Sequence, residues 1–177
     1  MFDSYANLMK VLRELGQVAG RKKLQKIVFI SQKAGMPMDE DFDYYLYGPY
    51  SESLSNKLGE LSALGLLVEE KMHLSSGYQQ YSYTLSPKGH ELVKALPGVS
   101  DREKQLLQIL NSHDGRFLEL LATLWFLLDK GYSEEQAEEE IVTWLKPEQG
   151  YRHEEFLKAV DLLKELKGFL GGINSCD

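Results

Sequence analysis

The stretch LSALGLLVEEKMHLSSGYQQYSYTLSPKG, residues 61–89, decides the fold. Leu54, Leu58, Leu61 and Leu64 recur at helical spacing, and Gly65 closes that helix. Two β-prone runs follow, Leu66 to Leu74 and Tyr78 to Leu85. Tyr81, Tyr83 and Leu85 alternate with Ser82 and Thr84, the period-two pattern of a half-buried strand. Ser75-Ser76-Gly77 supplies a hairpin loop. Ser86-Pro87 then offers an N-cap with proline at the first helical position, and that helix runs to about Leu96.

Upstream, Leu8, Val11, Leu12 and Leu15 form one helical stripe, and Gly16 stops it. A second helix is expected from Arg21 to Ala34, largely buried through Leu24, Ile27, Val28 and Ser31, with Phe29 and Ile30 widening the apolar face. At 100° per residue, Lys22, Lys26 and Lys33 lie within about 40° of one another, a basic stripe on the opposite side. Phe42 to Tyr47 reads as one short strand, Gly48-Pro49 as its turn, and Ser51 as the cap of the third helix. Downstream of Pro97-Gly98 the chain is helical. Ser100 to Glu103 and Ser133 to Gln136 have capping-box spacing. Phe117 to Leu128 is apolar nearly all round, a central helix or a subunit interface. Ala137, Ile141, Trp144 and Leu145 are expected to face inward, Pro147 to end their helix, and Phe156, Val160, Leu163 and Leu166 to form the last one. The tail from Gly171-Gly172 to Asp177 is expected to fray.

Helix, helix, strand, helix, hairpin is the order of a winged helix. The expected fold is therefore mostly α (α+β): a winged-helix-like N-terminal half with a small β-hairpin wing, residues 1–97, packed on a C-terminal α-helical bundle, residues 98–177, that shares its core. The step Tyr83-Thr-Leu-Ser-Pro-Lys-Gly89 is similar to the strand-to-helix junction of many winged-helix regulators.

A more specific likeness rests on two segments. Lys23-Leu-Gln-Lys-Ile-Val-Phe-Ile-Ser-Gln32 followed by Tyr45-Leu-Tyr-Gly-Pro-Tyr-Ser51 resembles the Panacea domain, the antitoxin group that includes SocA and GepA. The YwgA-like uncharacterised bacterial proteins resemble the chain more closely still, because for them the likeness extends into Leu118-Glu-Leu-Leu-Ala-Thr-Leu124 and Trp144-Leu-Lys-Pro147. The resemblance implies a mostly helical protein with a winged-helix-like core and an antitoxin or regulatory role. Tyrosines surround Gly-Pro here, where antitoxin-type members usually carry a tryptophan and a hydrophobic residue.

Composition narrows the function. The 177 residues carry 20 Lys+Arg against 27 Asp+Glu, a net charge of −7. Residues 1–35 hold +5, residues 36–100 hold −5 and residues 101–177 hold −7. Only the N-terminal helices could attract a polyanion. The third helix offers Glu52, Ser53, Asn56, Lys57, Glu60 and Ser62, a poor set for reading bases. The N-terminus lacks the pattern of a secretory signal and no apolar run spans a bilayer, so a cytoplasmic protein without membrane contact is expected. One cysteine, Cys176, excludes a disulfide framework.

Catalytic patterns are missing. His73, His90, His113 and His153 have no metal-pair spacing, and Ser112-His113-Asp114 reads as a helix-ending turn. Asp39, Asp41 and Asp43 mimic the start of a calcium loop, but Tyr44 and Tyr50 stand where Gly and Glu belong. No enzyme activity, cofactor or metal is expected. The expected function is non-enzymatic regulatory binding, mainly of a protein partner, with DNA binding by the winged helix as the alternative. Partner contacts are assigned to Tyr45, Tyr47, Gly48, Pro49, Tyr50, Ser51, Asn56 and Lys57, and nucleic-acid backbone contacts to Lys22, Lys26 and Lys33. The tyrosine turn could rim a pocket for a peptide or an anion, or its rings could simply pack the core. Homodimerisation through Phe117 to Leu128 is a secondary expectation.

Overall fold

The computed structural model describes residues 2–73 and 79–171. The expected loop Ser75-Ser76-Gly77, the tail from Gly172 and Cys176 lie outside the described residues. The chain is mostly α with small antiparallel sheets, the α+β class expected. Its elements run α1 (Phe2–Leu15), β1 (Gln17–Ala19), α2 (Arg21–Lys33), β2 (Asp43–Tyr45), β3 (Gly48–Tyr50), α3 (Glu52–Ala63), β4 (Leu67–His73), β5 (Gln79–Leu85), α4 (Pro87–Lys94), α5 (Asp101–Ser112), α6 (Gly115–Asp129), α7 (Glu134–Glu139) and α8 (His153–Leu166).

Local chemistry sets most boundaries. Ser51, Ser86, Ser100, Asp114 and Ser133 each accept a backbone N–H in the first turn of the helix that follows. Glu103 and Gln136 complete the two capping boxes. Gly65 takes φ +69° after α3, and the Leu66 N–H reaches back to the Leu61 carbonyl, a helix stop that suits glycine. At Gly89 the reason is space: a Cβ there would sit 2.1 Å from the Leu66 carbonyl oxygen.

Two expectations about strands change, and one strand is new. β1, a strand not expected from the sequence, pairs antiparallel with β5, Val18 opposite Tyr83, and makes a three-stranded sheet of order β1-β5-β4. Three residues are too short to show a period, and Val18 becomes strand by pairing. The aromatic run is not one strand but a hairpin, with Tyr45 opposite Gly48. Gly48-Pro49 is accordingly not the turn; Leu46 and Tyr47 are, and Gly48 opens the return strand with φ +81°.

The core is continuous from α1 to α8. α6 lies at its centre, touching α2, α8, α7 and β3. Leu118, Leu120, Leu121, Leu124, Trp125 and Leu127 are buried there by the chain itself. The face assigned to a homodimer is thus already covered from within the molecule. Two apolar residues depart from expectation. Leu64 lies beyond the α3 stripe and is exposed. Trp144 is 72% exposed because α7 passes into a π-helical turn, Glu140–Leu145. The wider turn shifts the helical register and swings Trp144 outward, while Ile141 stays buried. No helix of the described residues is long and apolar enough to cross a membrane.

Candidate functional site

The two segments Lys23–Gln32 and Tyr45–Ser51 meet in space, and their side chains interlock. Gln25 on α2 donates from Nε2 to the Ser51 carbonyl at 2.9 Å and accepts the Ser51 N–H on Oε1 at 2.9 Å. One side chain thereby satisfies both backbone groups of a buried residue, as a strand neighbour would. Lys26, only 2% exposed, donates to the Pro49 carbonyl at 2.6 Å. Lys23 reaches the Asn111 carbonyl at 2.8 Å and ties α2 to the end of α5.

A second buried lysine grips the hairpin from the other side. Lys146, 1% exposed, donates to the Leu46 carbonyl at 3.1 Å. Its Nζ also lies 2.6 Å from Glu119 Oε1 on α6, an ion pair whose oxygen sits off the hydrogen-bonding axis. Two buried cations, Lys26 and Lys146, therefore share one buried carboxylate, Glu119. Burial pushes the Lys26 ammonium down to about 8; Glu119 opposes the shift, and Lys146 and Lys22 add to it. Gly48 completes the joint. Its positive φ and a would-be Cβ only 2.6 Å from Thr123 Oγ1 let the hairpin lie directly against α6.

Ser51 caps α3, its Oγ accepting the Leu54 N–H at 3.1 Å. Beside it the buried Glu40 carboxylate takes Lys57 Nζ at 2.7 Å and the Ser53 hydroxyl. Lys57 also donates to Ser4 Oγ at 2.6 Å, so it is held inside the fold and not presented to a partner.

Held this way, the hairpin presents its tip. Tyr45, Leu46 and Tyr47 are 54%, 83% and 47% exposed, while Gly48 and Pro49 are buried beneath them. Lys22 Nζ lies 2.9 Å from the centre of the Tyr47 ring, and Tyr45 and Tyr50 meet edge to face with centroids 5.3 Å apart. Behind the tip a cleft of about 270 Å³ opens between the hairpin, α2, α3 and β5. Arg21 closes one side, its Nε donating to the Tyr83 hydroxyl at 3.0 Å and one terminal nitrogen pairing with Glu69 at 2.7 Å.

The structure brings together Tyr45, Tyr47, Gly48, Pro49, Tyr50, Ser51 and Lys22. Asn56 stays exposed on α3, away from the cleft lining. The basic stripe of α2 does not form as a surface. Lys26 is buried on the Pro49 carbonyl, and Lys33 pairs with Asp129 at 2.5 Å. A 40° sector of a helix can point into a neighbouring hairpin as readily as into water, and here part of it does. Sequence reasoning missed Arg21, Gln25, Glu119 and Lys146. A signal existed for Glu119: one carboxylate inside an apolar helix needs a buried cation to meet it.

The triad-like residues are structural. Ser112 bonds the Ile109 carbonyl, Asp114 caps α6, and His113 stacks on Phe117 with centroids 4.6 Å apart. Among the described residues no group of three or more His, Cys, Asp or Glu could hold a metal ion.

No protein-family model matches the chain. Over 167 residues it is 37% identical to the uncharacterized protein YwgA of Bacillus subtilis (strain 168), across 94% of this chain and 98% of that protein.

Proposed function

Since the chain belongs to the YwgA-like family, we propose from the geometry of its hairpin that it is a non-enzymatic binding protein that docks a protein partner on the Tyr45-Leu46-Tyr47 tip. One observation carries this. Two carbonyls of the hairpin, Leu46 within the tip and Pro49 just after it, are held by buried lysines, while the side chains of Tyr45, Leu46 and Tyr47 face solvent. A rigid loop that exposes two tyrosines and a leucine loses little conformational entropy on binding, the property of an interface anchor. The role would be regulatory, in the manner of the antitoxin-type proteins that the sequence resembles.

DNA binding is the second reading. The β1-β5-β4 sheet and the position of α3 support it, since that layout is winged-helix-like. Charge weighs against it: the exposed face of α3 carries Glu52 and Glu60, and Lys57 is bound to Glu40.

Affinity capture with the whole chain as bait, with and without nuclease, tests both. Leu46→Asp alters only a side chain that is 83% exposed. The expected result is a nuclease-resistant protein partner that Leu46→Asp loses at unchanged melting temperature. A partner retained by Leu46→Asp refutes the tip as the anchor, and nuclease-sensitive capture favours DNA.

A further inference from the structure

The cleft behind the hairpin is lined by cations in a chain that is acidic overall. The chain carries −7 overall, yet the residues lining this cleft include Arg21, Lys22 and Lys26 and not one carboxylate. Their donors are only partly used. Arg21 spends Nε and one terminal nitrogen on Tyr83 and Glu69, and its Nη1 has no partner among the described residues. Lys22 forms no ion pair there; its ammonium rests on the Tyr47 ring. Lys26 makes one hydrogen bond, to Pro49, and an ammonium has three N–H groups to give. Arg21 has Glu69 and Lys26 has Glu119 as counter-charges, but Lys22 has none among the described residues. Burial disfavours the Lys26 ammonium, and Lys146 and Lys22 both act further against it. An anion placed between Arg21, Lys22 and Lys26 would offset that repulsion.

The remaining lining is aromatic. Tyr45, Tyr47 and Tyr50 supply ring faces and edges within the same 270 Å³. That volume lies just below the roughly 300–1,000 Å³ of pockets for drug-sized ligands, which suits a smaller organic molecule and is too small for a folded segment. We propose that the cleft is a binding site for a small aromatic phosphate monoester, its dianionic group held by Arg21, Lys22 and Lys26 and its flat ring stacked among the tyrosines. A dianion matches three cations better than a carboxylate does, and Arg21 offers the planar fork that phosphate oxygens accept. The ligand shares Tyr45 and Tyr47 with the proposed docking tip, but its binding needs no partner.

Calorimetric titration of the full chain tests it, with phenyl phosphate and nucleoside 5′-monophosphates as probes. Phenol, the neutral nucleosides and inorganic phosphate serve as controls. At least one ringed phosphate is expected to bind tenfold or more tighter than inorganic phosphate and than its own neutral counterpart. Lys22→Ala changes an exposed side chain without an ion pair among the described residues and is expected to weaken that binding about tenfold at an unchanged melting temperature. Arg21→Gln is expected to weaken it about tenfold and to lower the melting temperature as well, because Tyr83 and Glu69 lose their partner. The test leaves the buried Lys26 in place. No saturable binding of any probe at millimolar concentration would overturn the proposal. Equal affinity for inorganic phosphate would remove the ring from it, and unchanged affinity in both variants would remove the site. Tighter binding of a 5′-phosphorylated oligonucleotide than of the free monophosphate would replace a small-molecule ligand with a nucleic-acid end.

Discussion

Replacing Gly48 by alanine is expected to loosen the hairpin from α6, by two separable effects. The first is backbone strain: φ is +81°, where an L-residue with a Cβ is disfavoured by about 1–2 kcal/mol. The second is overlap, since the new Cβ would lie 2.6 Å from Thr123 Oγ1, inside van der Waals contact with a fully buried side chain. Overpacking of this kind destabilises by about 1–3 kcal/mol. Together they amount to about 2–5 kcal/mol, a large share of the roughly 5–15 kcal/mol that holds a domain folded. At about 2–4 °C per kcal/mol for a chain of this size, the melting temperature should fall by about 4–20 °C. A double-mutant cycle with Thr123→Ala separates the parts by urea denaturation followed by circular dichroism. Thr123→Ala removes the hydroxyl that clashes and leaves φ as it was. The double variant should therefore recover the overlap share and keep the strain share, a coupling of about 1–3 kcal/mol. Two changes that add to within about 0.5 kcal/mol would refute direct contact between hairpin and helix.

Other perturbations probe the same joint. Lys26 releases its proton near 8 in the fold against 10.5 for an ordinary lysine, so between those values the unfolded chain holds the proton that the folded chain has shed. Stability should rise with pH across that window, by about 2 kcal/mol from pH 8 to pH 10 relative to Lys26→Met; equal slopes in the two proteins would contradict the burial of Lys26. Gln25→Ala strands the Ser51 N–H and carbonyl without their partner, and a loss of about 2–4 kcal/mol in chemical denaturation is expected. Trp144→Ala, at an exposed position, should shift stability by no more than about 0.5 kcal/mol; a larger loss would mean that the π-helical turn depends on the indole.

The helical caps could be read directly because they act within four residues: Ser51, Ser86, Ser100 and Ser133 all cap where their spacing says. The hairpin after α3 was equally plain, since alternation and the flanking stops are local. The aromatic turn was found but misplaced by two residues, because Gly-Pro marks a bend without saying which residue pairs with which. For the site, the tyrosines stood out by composition. Their supports did not: Lys146 is 100 residues from the carbonyl that it binds, and Glu119 nearly 30 residues from Lys146.

Chain chemistry alone therefore decided the class of the protein, the order of its main helices and the identity of its most unusual loop, since propensity, capping and periodicity are properties of neighbours. Folding decided which lysines are surface and which are structural. Periodicity places Lys22 and Lys26 on one side of α2, but one leans over a tyrosine in solvent and the other is sealed against Pro49. What lies beside a helix face is set by residues far along the chain, and only their packing tells a solvated charge from a buried clamp.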